Sequence, residues 1–198
     1  MTTMLRRSSM VLVIALLTGG VIPNSSVSAE ESASPFVRYP RAMGIAAGQI
    51  TGAGLAWMYW PDRLGFQIVG GATYSPADGD AFFWDDRTLD YNVGGQLYRS
   101  VFTDTWAGWL SGQLYMWGGL RHNGYIPVVY EEANDGYRER DFVAGVSGGV
   151  GIGVELLLYR HFSIPIEFGY VATGEFLGSE ATPFIMALAG QTGFRYRY

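Results

Sequence analysis

The chain has 198 residues and a formal net charge of −5 at pH 7, and its 13 positively charged residues are all Arg. An acidic balance argues against nucleic acid as a partner, and the absence of Cys excludes a disulfide framework. With 28 Gly and 15% aromatic residues, the composition is typical of a tightly curved sheet rather than of a helical fold.

The first 29 residues predict a secretory signal peptide. Arg6 and Arg7 supply its positive region, Met10 to Leu17 form a short apolar core, and Val27-Ser28-Ala29 offers a cleavage site. The core is too short for a membrane-spanning helix, and no later stretch has 18 consecutive apolar residues. The mature chain is therefore expected to be exported and, with about 170 residues, to form one domain.

A polar, Pro-containing stretch over residues 30–40 is predicted to be a flexible lead-in. Residues 41–198 then show a period-two alternation that predicts eight strands. The pattern is clearest from Phe142 to Tyr159, where Val150, Ile152 and Val154 alternate with small residues. The other predicted strands cover about 41–49, 54–60, 64–74, 88–102, 106–120, 162–173 and 184–198.

Short and long connections alternate along this region. The predicted short turns are Pro61–Arg63, Thr103–Thr105 and Arg160–His161, and long connections lie between them. This rhythm is typical of antiparallel strands that join a periplasmic end to an outer end. The connection at residues 50–53 is a short exception. The segment 121–141 is predicted either as an irregular, partly hairpin-like loop or as an extension of the flanking strands.

The predicted strands carry few charges on either face, and their aliphatic faces are broad. A soluble, exported barrel of the lipocalin type also has eight up-and-down strands, but it keeps its apolar face inside and its charges outside. Lipid on the outside explains the observed pattern and water does not. The predicted fold is therefore an all-β, eight-stranded antiparallel up-and-down transmembrane β-barrel.

The last predicted strand carries a recognisable pattern. Its even-numbered positions are mostly apolar or aromatic, and its odd-numbered ones are mostly small or charged. Gln191, Gly193, Tyr196 and Tyr198 resemble the C-terminal insertion signal of bacterial outer-membrane barrels. Residues 41–198 resemble the small outer-membrane barrels of the OmpA, OmpX and OmpW type. The resemblance implies a cell outer-membrane location, contact with lipid and lipopolysaccharide, and handling by the barrel-assembly machinery during insertion.

Three charged residues are expected to meet inside the barrel. Glu155, Glu167 and Arg195 lie at similar heights on adjacent strands and face the interior. Buried charges require partners, which predicts a Glu–Arg–Glu cluster. The cluster could act as a gate or a proton site, or it could be a structural plug. The plug is favoured because an eight-stranded barrel is only wide enough for side chains to fill it.

A hydrolase is the enzymatic alternative. His161, Ser163 and Glu175 are similar to the residues that outer-membrane lipid A deacylases use, although Ile164 stands where that family commonly has Asn. The predicted topology separates His161 from Glu175 by a membrane thickness of about 25 Å. No enzymatic activity is therefore expected.

No cofactor motif or Cys/His metal cluster is present, and no cofactor or metal site is predicted. The loop with Asp78, Asp80, Asp85 and Asp86 could attract a divalent cation, but its spacing matches no EF-hand. An apolar run from Tyr125 to Tyr130 beside charged residues could contact partners or lipopolysaccharide.

The sequence supports three functional hypotheses. The first is a non-enzymatic outer-membrane barrel with a largely plugged lumen, which contributes to envelope integrity or to surface interactions through its extracellular loops. The second is a narrow, OmpW-like channel for small or hydrophobic solutes. The third is a lipid A-modifying enzyme.

Overall fold

The computed structural model describes residues 34–74, 87–131, 136–177 and 184–198. The predicted signal peptide at 1–29 and the acidic loop with Asp78, Asp80, Asp85 and Asp86 lie outside these residues. A short helix comes first, followed by strands that make up most of the described chain. These elements are α1 (Pro35–Arg38), β1 (Arg41–Gly48), β2 (Gly54–Tyr59), β3 (Leu64–Tyr74), β4 (Arg87–Ala107), β5 (Leu110–Glu131), β6 (Gly136–Glu139), β7 (Val143–Leu158), β8 (Phe162–Leu177) and β9 (Ile185–Arg197).

Eight of these strands close into an antiparallel ring. The ring runs β1, β2, β3, β4, β5, β7, β8, β9 and returns to β1, while β6 pairs only with the outer end of β5. The closing pair is β1 with β9, in which Ile45 lies opposite Phe194 and Met43 opposite Tyr196. The predicted eight-stranded barrel, with its first strand paired to its last, is confirmed.

The outside of the barrel is apolar. Leu55, Leu120, Ile152 and Leu188 are each more than half exposed, and they belong to the aliphatic stripes seen in the sequence. Their neighbours along each strand point inward and are mostly buried, as the pleat requires. A lipocalin-type barrel would bury these stripes, so the soluble alternative is wrong.

The turn between β4 and β5 lies further along the chain than the sequence predicts. Thr103 and Thr105 are strand residues, paired with Gln113 and Ser111, and the turn consists of residues 108–109. A register shift between Ser100 and Phe102 accommodates an extra residue, and β-branched Thr favours extended backbone. The predicted turn at Thr103–Thr105 is therefore wrong.

The outer part of β5 is regular. This strand does not end near Leu120 but continues to Glu131, where it forms a hairpin with β6. The apolar run that includes Ile126 and Val128 favours strand, and Asp135-Gly136 is a turn signal. Of the two alternatives for segment 121–141, the extended hairpin is the one that forms.

The first outer connection folds into the barrel. Ile50 and Thr51 are buried, and Asn92 of β4 donates a 2.9 Å hydrogen bond to the Ala53 carbonyl. A Cβ at Gly94 would lie 2.7 Å from the Thr51 Cα, so glycine is needed where this connection meets β4. The unusual shortness of the connection follows from its position, because it fills the lumen instead of rising above the rim.

The lead-in is folded over its last residues. Ser34 caps α1 by accepting a hydrogen bond from the Phe36 N–H, and Pro35 stands in the first turn. Phe36 is buried at the end of the barrel that carries the short turns. Residues 34–40 therefore have defined contacts, residues 30–33 lie outside the described residues, and the flexible lead-in over residues 30–40 stays a prediction. Within the described residues, no helix is long and apolar enough to span a membrane.

Candidate functional site

The structure brings Glu155, Glu167 and Arg195 together inside the barrel. They stand on β7, β8 and β9, and all three side chains are buried. The Arg195 guanidinium lies 3.9 Å from a Glu155 carboxylate oxygen and 4.0 Å from a Glu167 oxygen. The register explains the meeting, because Ser163 pairs with Arg195 and Pro165 pairs with Glu155. Arg195 therefore sits between the two carboxylates.

A second arginine, which the sequence analysis left out of the cluster, forms a closer ion pair with Glu155 than Arg195 does. The Arg197 Nη2 and Nε atoms donate to the two Glu155 oxygens at 2.7 Å and 3.2 Å. Ser163 donates a further hydrogen bond to Glu155. Such a bidentate pair is stronger than the contacts that Arg195 makes with its two carboxylates at 3.9 Å and 4.0 Å. The period-two alternation of side chains along a strand could have identified Arg197, because Arg197 lies two residues after Arg195 and therefore on the same face of β9.

Glu167 is held chiefly by uncharged donors. Tyr115 donates a 2.7 Å hydrogen bond from its hydroxyl, and Gln96 and Gln191 donate from their amides at 2.8 Å and 3.1 Å. Hydrogen bonds to an ionised group are stronger than those between neutral groups. These three donors therefore stabilise the Glu167 carboxylate, which Arg195 approaches only to 4.0 Å.

Gln191 links this network to the outer end of the lumen. Its side-chain oxygen accepts hydrogen bonds of 2.8 Å from both the backbone N–H and the hydroxyl of Thr51. The buried connection between β1 and β2 is thereby tied to the charged cluster through β9. Gln191 was predicted as part of the insertion signal, and in the folded barrel it is a structural residue of the lumen.

Aromatic rings fill the space beside the charges. Trp60 stacks on Tyr98 at 4.9 Å between centroids, and Tyr115 meets both rings edge-on at 5.2 Å and 5.3 Å. The Tyr98 hydroxyl donates to Gln96 at 2.9 Å. Rings in edge-to-face and stacked geometry pack densely, so little open space remains at this level of the barrel.

Arg195 is less completely satisfied than Arg197. Its Nη1 contacts the Met58 sulfur at 3.4 Å, whereas its Nε and Nη2 atoms have no hydrogen-bond partner among the described residues. Buried polar groups without partners are costly. The two arginines of β9 therefore differ in how well the barrel interior accommodates them.

The remaining residues of the predicted insertion signal lie on β9 and just after it. Tyr196 and Tyr198 are about half exposed on the outer face, and Tyr196 stacks on His161 at 5.2 Å. At Gly193, an added Cβ would lie 2.5 Å from the Ile45 carbonyl oxygen, so only glycine fits against β1. Their recognition during insertion stays a prediction.

The hydrolase residues do not form a triad. The His161 Nδ1 contacts the Arg197 carbonyl at 2.8 Å, and Ser163 is occupied with Glu155. Glu175 accepts a 2.9 Å hydrogen bond from Tyr125 near the outer end. Ser163 and Glu175 are twelve residues apart on one strand, a distance of about 40 Å. Among the described residues, no group of three or more His, Cys, Asp or Glu could hold a metal ion.

The strand pairing and the apolar exterior define this chain as a small β-barrel of the transmembrane type, and the predicted resemblance to small outer-membrane barrels is confirmed at the level of the fold. No family model and no curated protein matches the sequence. Among solved structures, the chain is similar to the N-terminal β-barrel domain of Pseudomonas aeruginosa OprF, with 9% identity, a TM-score of 0.46 and coverage of 80% of this chain and 96% of that one. It is also similar to Acinetobacter baumannii CarO, with 11% identity, a TM-score of 0.38 and coverage of 80% and 97%.

Proposed function

We propose that this chain is a non-enzymatic outer-membrane barrel with a closed lumen, which contributes to envelope integrity and presents its outer hairpin for surface interactions. The observation that carries the proposal is the lumen itself. Its charged, amide and aromatic side chains are buried and bonded to one another across the barrel. Such a network stiffens the wall, and an eight-stranded barrel is narrow enough for side chains to fill its cross-section at this level.

Exposed aromatic residues at both ends support a membrane location. Trp106, Trp109 and Tyr159 lie around the short turns, and Tyr74 and Phe184 lie around the long connections. Rings at these two levels are typical of the girdles that flank the lipid-facing band of a barrel. The apolar stripes between them suit lipid, and the short turns then face the periplasm.

The exposed side chains of the outer hairpin support the proposal that it contacts lipopolysaccharide. Arg138, Glu139 and Arg140 are exposed, and Val129 is exposed beside them. An apolar surface next to charged groups is typical of interaction sites. Two further roles remain proposals. The barrel-assembly machinery would recognise the chain through Gln191, Gly193, Tyr196 and Tyr198, and the acidic loop would bind a divalent cation.

Single-channel recording in planar lipid bilayers tests the closed lumen. We expect the purified barrel to insert without stepwise conductance, because the cross-section is filled by the cluster and the aromatic rings. Steady conductance from the unmodified protein would contradict the proposal. Mass spectra of lipid A from cells with and without the protein are expected to be identical, since His161, Ser163 and Glu175 contact other groups and not one another.

The narrow channel is the second candidate. It is favoured by Arg195, whose Nε and Nη2 atoms lack protein partners among the described residues. A charge that is bonded on one side only could attract a permeating anion. In that case the unmodified barrel would conduct, and Arg195→Gln would change its ion selectivity without closing it.

A further inference from the structure

The seam at which β8 pairs with β9 contains an interruption. Pairing is regular up to Ser163 opposite Arg195 and resumes at Ile166 opposite Thr192 without a change of register. The two residues of β8 between these pairs, the second of which is Pro165, have no ladder partner on β9. Over the same stretch, β9 is paired with β1 without a break. The interruption therefore belongs to one seam of the barrel wall.

Proline explains this interruption. The Arg197 N–H donates a 2.7 Å hydrogen bond to the His161 carbonyl. Hydrogen-bonding positions recur at every second residue of an antiparallel pair, so Pro165 and Gly193 face each other at such a position. Because proline has no N–H, the Gly193 carbonyl has no backbone donor opposite it. An unpaired backbone group is costly in lipid, which makes this the weakest step of the β8–β9 ladder.

A side chain on the outer face replaces part of the lost bonding. Thr192 is exposed, and its hydroxyl donates a 2.9 Å hydrogen bond to the Pro165 carbonyl. This bond crosses from β9 to β8 on the lipid-facing side. A hydroxyl can leave its acceptor by rotation about χ1, without movement of the backbone. The bond therefore holds the seam together and can be broken locally.

A poorly bonded charge lies on the inner side of the same seam. Arg195 is two residues from Gly193, so its side chain shares the inner face of β9. It is buried, and its Nε and Nη2 atoms have no hydrogen-bond partner among the described residues. Water at these atoms would remove that cost, so hydration of Arg195 favours opening of the seam. Pro165 is the fourth residue of β8, and only about 10 Å of strand separates it from the short-turn end.

We propose that the barrel wall opens locally between β8 and β9 at Pro165, that the Thr192–Pro165 hydrogen bond is the contact that must break, and that the opening admits water from the side of the barrel to the Arg195 guanidinium. This lateral opening goes beyond the proposed function. It needs no continuous path along the barrel axis.

Hydrogen exchange of the full barrel in detergent micelles, followed by NMR, tests the proposal within one strand. The Gly193 and Arg195 amides point to β8, whereas the Phe194 and Tyr196 amides point to β1. After correction for intrinsic rates, we expect about tenfold faster exchange at the first two amides, because local opening exposes only that side. Equal protection of all four amides would overturn the proposal, as would a rate that simply rises toward the end of the strand.

Thr192→Val removes the hydroxyl and keeps the branched shape. It should accelerate exchange at Gly193 about five- to tenfold, the effect of one hydrogen bond, and leave Phe194 unchanged. Thr173→Val is the matched control, because the Thr173 hydroxyl bonds Ser147 at 3.0 Å across the β7–β8 seam. Equal acceleration at Gly193 in both variants would contradict the role of Thr192.

Pro165→Ala supplies the N–H that the Gly193 carbonyl lacks. Exchange at Gly193 and Arg195 should slow toward that of Phe194, and comparison within one variant separates this effect from any change in overall stability. Unchanged ratios would overturn the role of Pro165.

The side-chain Nε–H signals of the two arginines of β9 test the entry of water. Exchange with water should be faster at Arg195 than at Arg197, whose Nε–H is bonded to Glu155. Thr192→Val should accelerate it at Arg195 alone. An Arg195 signal that exchanges no faster than that of Arg197 would overturn the entry of water. None of these measurements depends on whether the barrel conducts ions along its axis, so the lateral opening and the closed lumen can fail separately.

Discussion

Arg195 and Arg197 show how two identical residues on one face of one strand can differ in their contribution. Arg197 makes a bidentate pair with Glu155, donates to the Tyr39 carbonyl at 3.1 Å and lies 4.9 Å from the Phe36 ring centroid. Arg195 reaches its carboxylates only at 3.9 Å and 4.0 Å. The well-bonded arginine therefore connects the lumen to α1, and the poorly bonded one occupies the centre.

Arg197→Ala should destabilise the barrel more than Arg195→Ala. Removing one partner of a buried ion pair costs about 3–5 kcal/mol, because the remaining charge is left buried. We expect Arg197→Ala to lie within this range and Arg195→Ala to lie below it, since Glu167 keeps its three uncharged donors. The free energy of unfolding, from urea titration followed by Trp fluorescence, measures both.

Arg140→Ala serves as the control for this comparison, because Arg140 is exposed on the outer hairpin segment. It should change the free energy of unfolding by less than about 0.5 kcal/mol. A larger loss in Arg195→Ala than in Arg197→Ala would show that the centre of the lumen, and not the Glu155 pair, carries the stability.

At the scale of elements, two short segments pack at the two ends of the lumen. The connection that contains Ile50 and Thr51 fills the outer end, where Gln191 holds it. The segment before β1 covers the other end: the Trp60 N–H donates to the Pro40 carbonyl, and the Tyr39 ring lies 4.5 Å from the His161 ring. Neither segment belongs to the barrel wall, yet both contact residues of the barrel.

Phe36→Ala should release α1 without unfolding the barrel. The phenyl ring provides most of the buried apolar surface of the helix, and a helix of four residues has no stability of its own. We expect much faster hydrogen exchange at the Tyr39 amide and unchanged exchange in β9. Val37→Ala is the control, because Val37 is largely exposed; comparable acceleration there would refute the anchoring role of Phe36.

The seam between β1 and β9 depends on a glycine. A Cβ at Gly44 would overlap the Phe194 carbonyl oxygen and lie 2.6 Å from the Arg195 Cα, so the strands would have to separate. Gly44→Ala should therefore reduce the folded fraction, which can be measured as the heat-modifiable band in gel electrophoresis. Gly95→Ala should fold normally, because its Cβ would meet no atom closer than 3.6 Å. Equal folded fractions would contradict this account of closure.

At the scale of the whole molecule, the barrel has two different ends and therefore an orientation. Short turns such as Pro61–Arg63 lie at one end, and the β5–β6 hairpin lies at the other. Antiparallel barrels with this asymmetry place the short turns in the periplasm and the long connections outside. We therefore expect the same orientation here, and the expectation rests on these two features and not on the charged cluster.

Cysteine labelling of intact cells tests this orientation. Because the chain has no native Cys, each single-Cys variant can be labelled only at the introduced position. A membrane-impermeant maleimide should label Glu139→Cys on the hairpin and should not label Asp62→Cys in the Pro61–Arg63 turn. Both positions are exposed, so disrupted cells should label at both. Labelling of Asp62→Cys in intact cells would contradict the predicted orientation.

The sequence by itself determined the barrel, because period-two alternation is a local property that survives without knowledge of distant contacts. It identified the lipid-facing stripes, the eight strands of the wall and the inward positions of Glu155, Glu167 and Arg195. It also carried a signal for Arg197, which lies on the same face two residues later. The outer extension of β5 was visible as one of two alternatives.

Only the tertiary structure decided how the lumen is filled. Contacts such as Gln191 with Thr51 and Arg197 with Tyr39 join residues far apart in the chain, and no local period predicts them. The bulge after Ser100 moved the turn past Thr105 because register is set by the pairing of β4 with β5. The inward fold of the first connection depends in the same way on closure, since the space it occupies exists only when β1 meets β9.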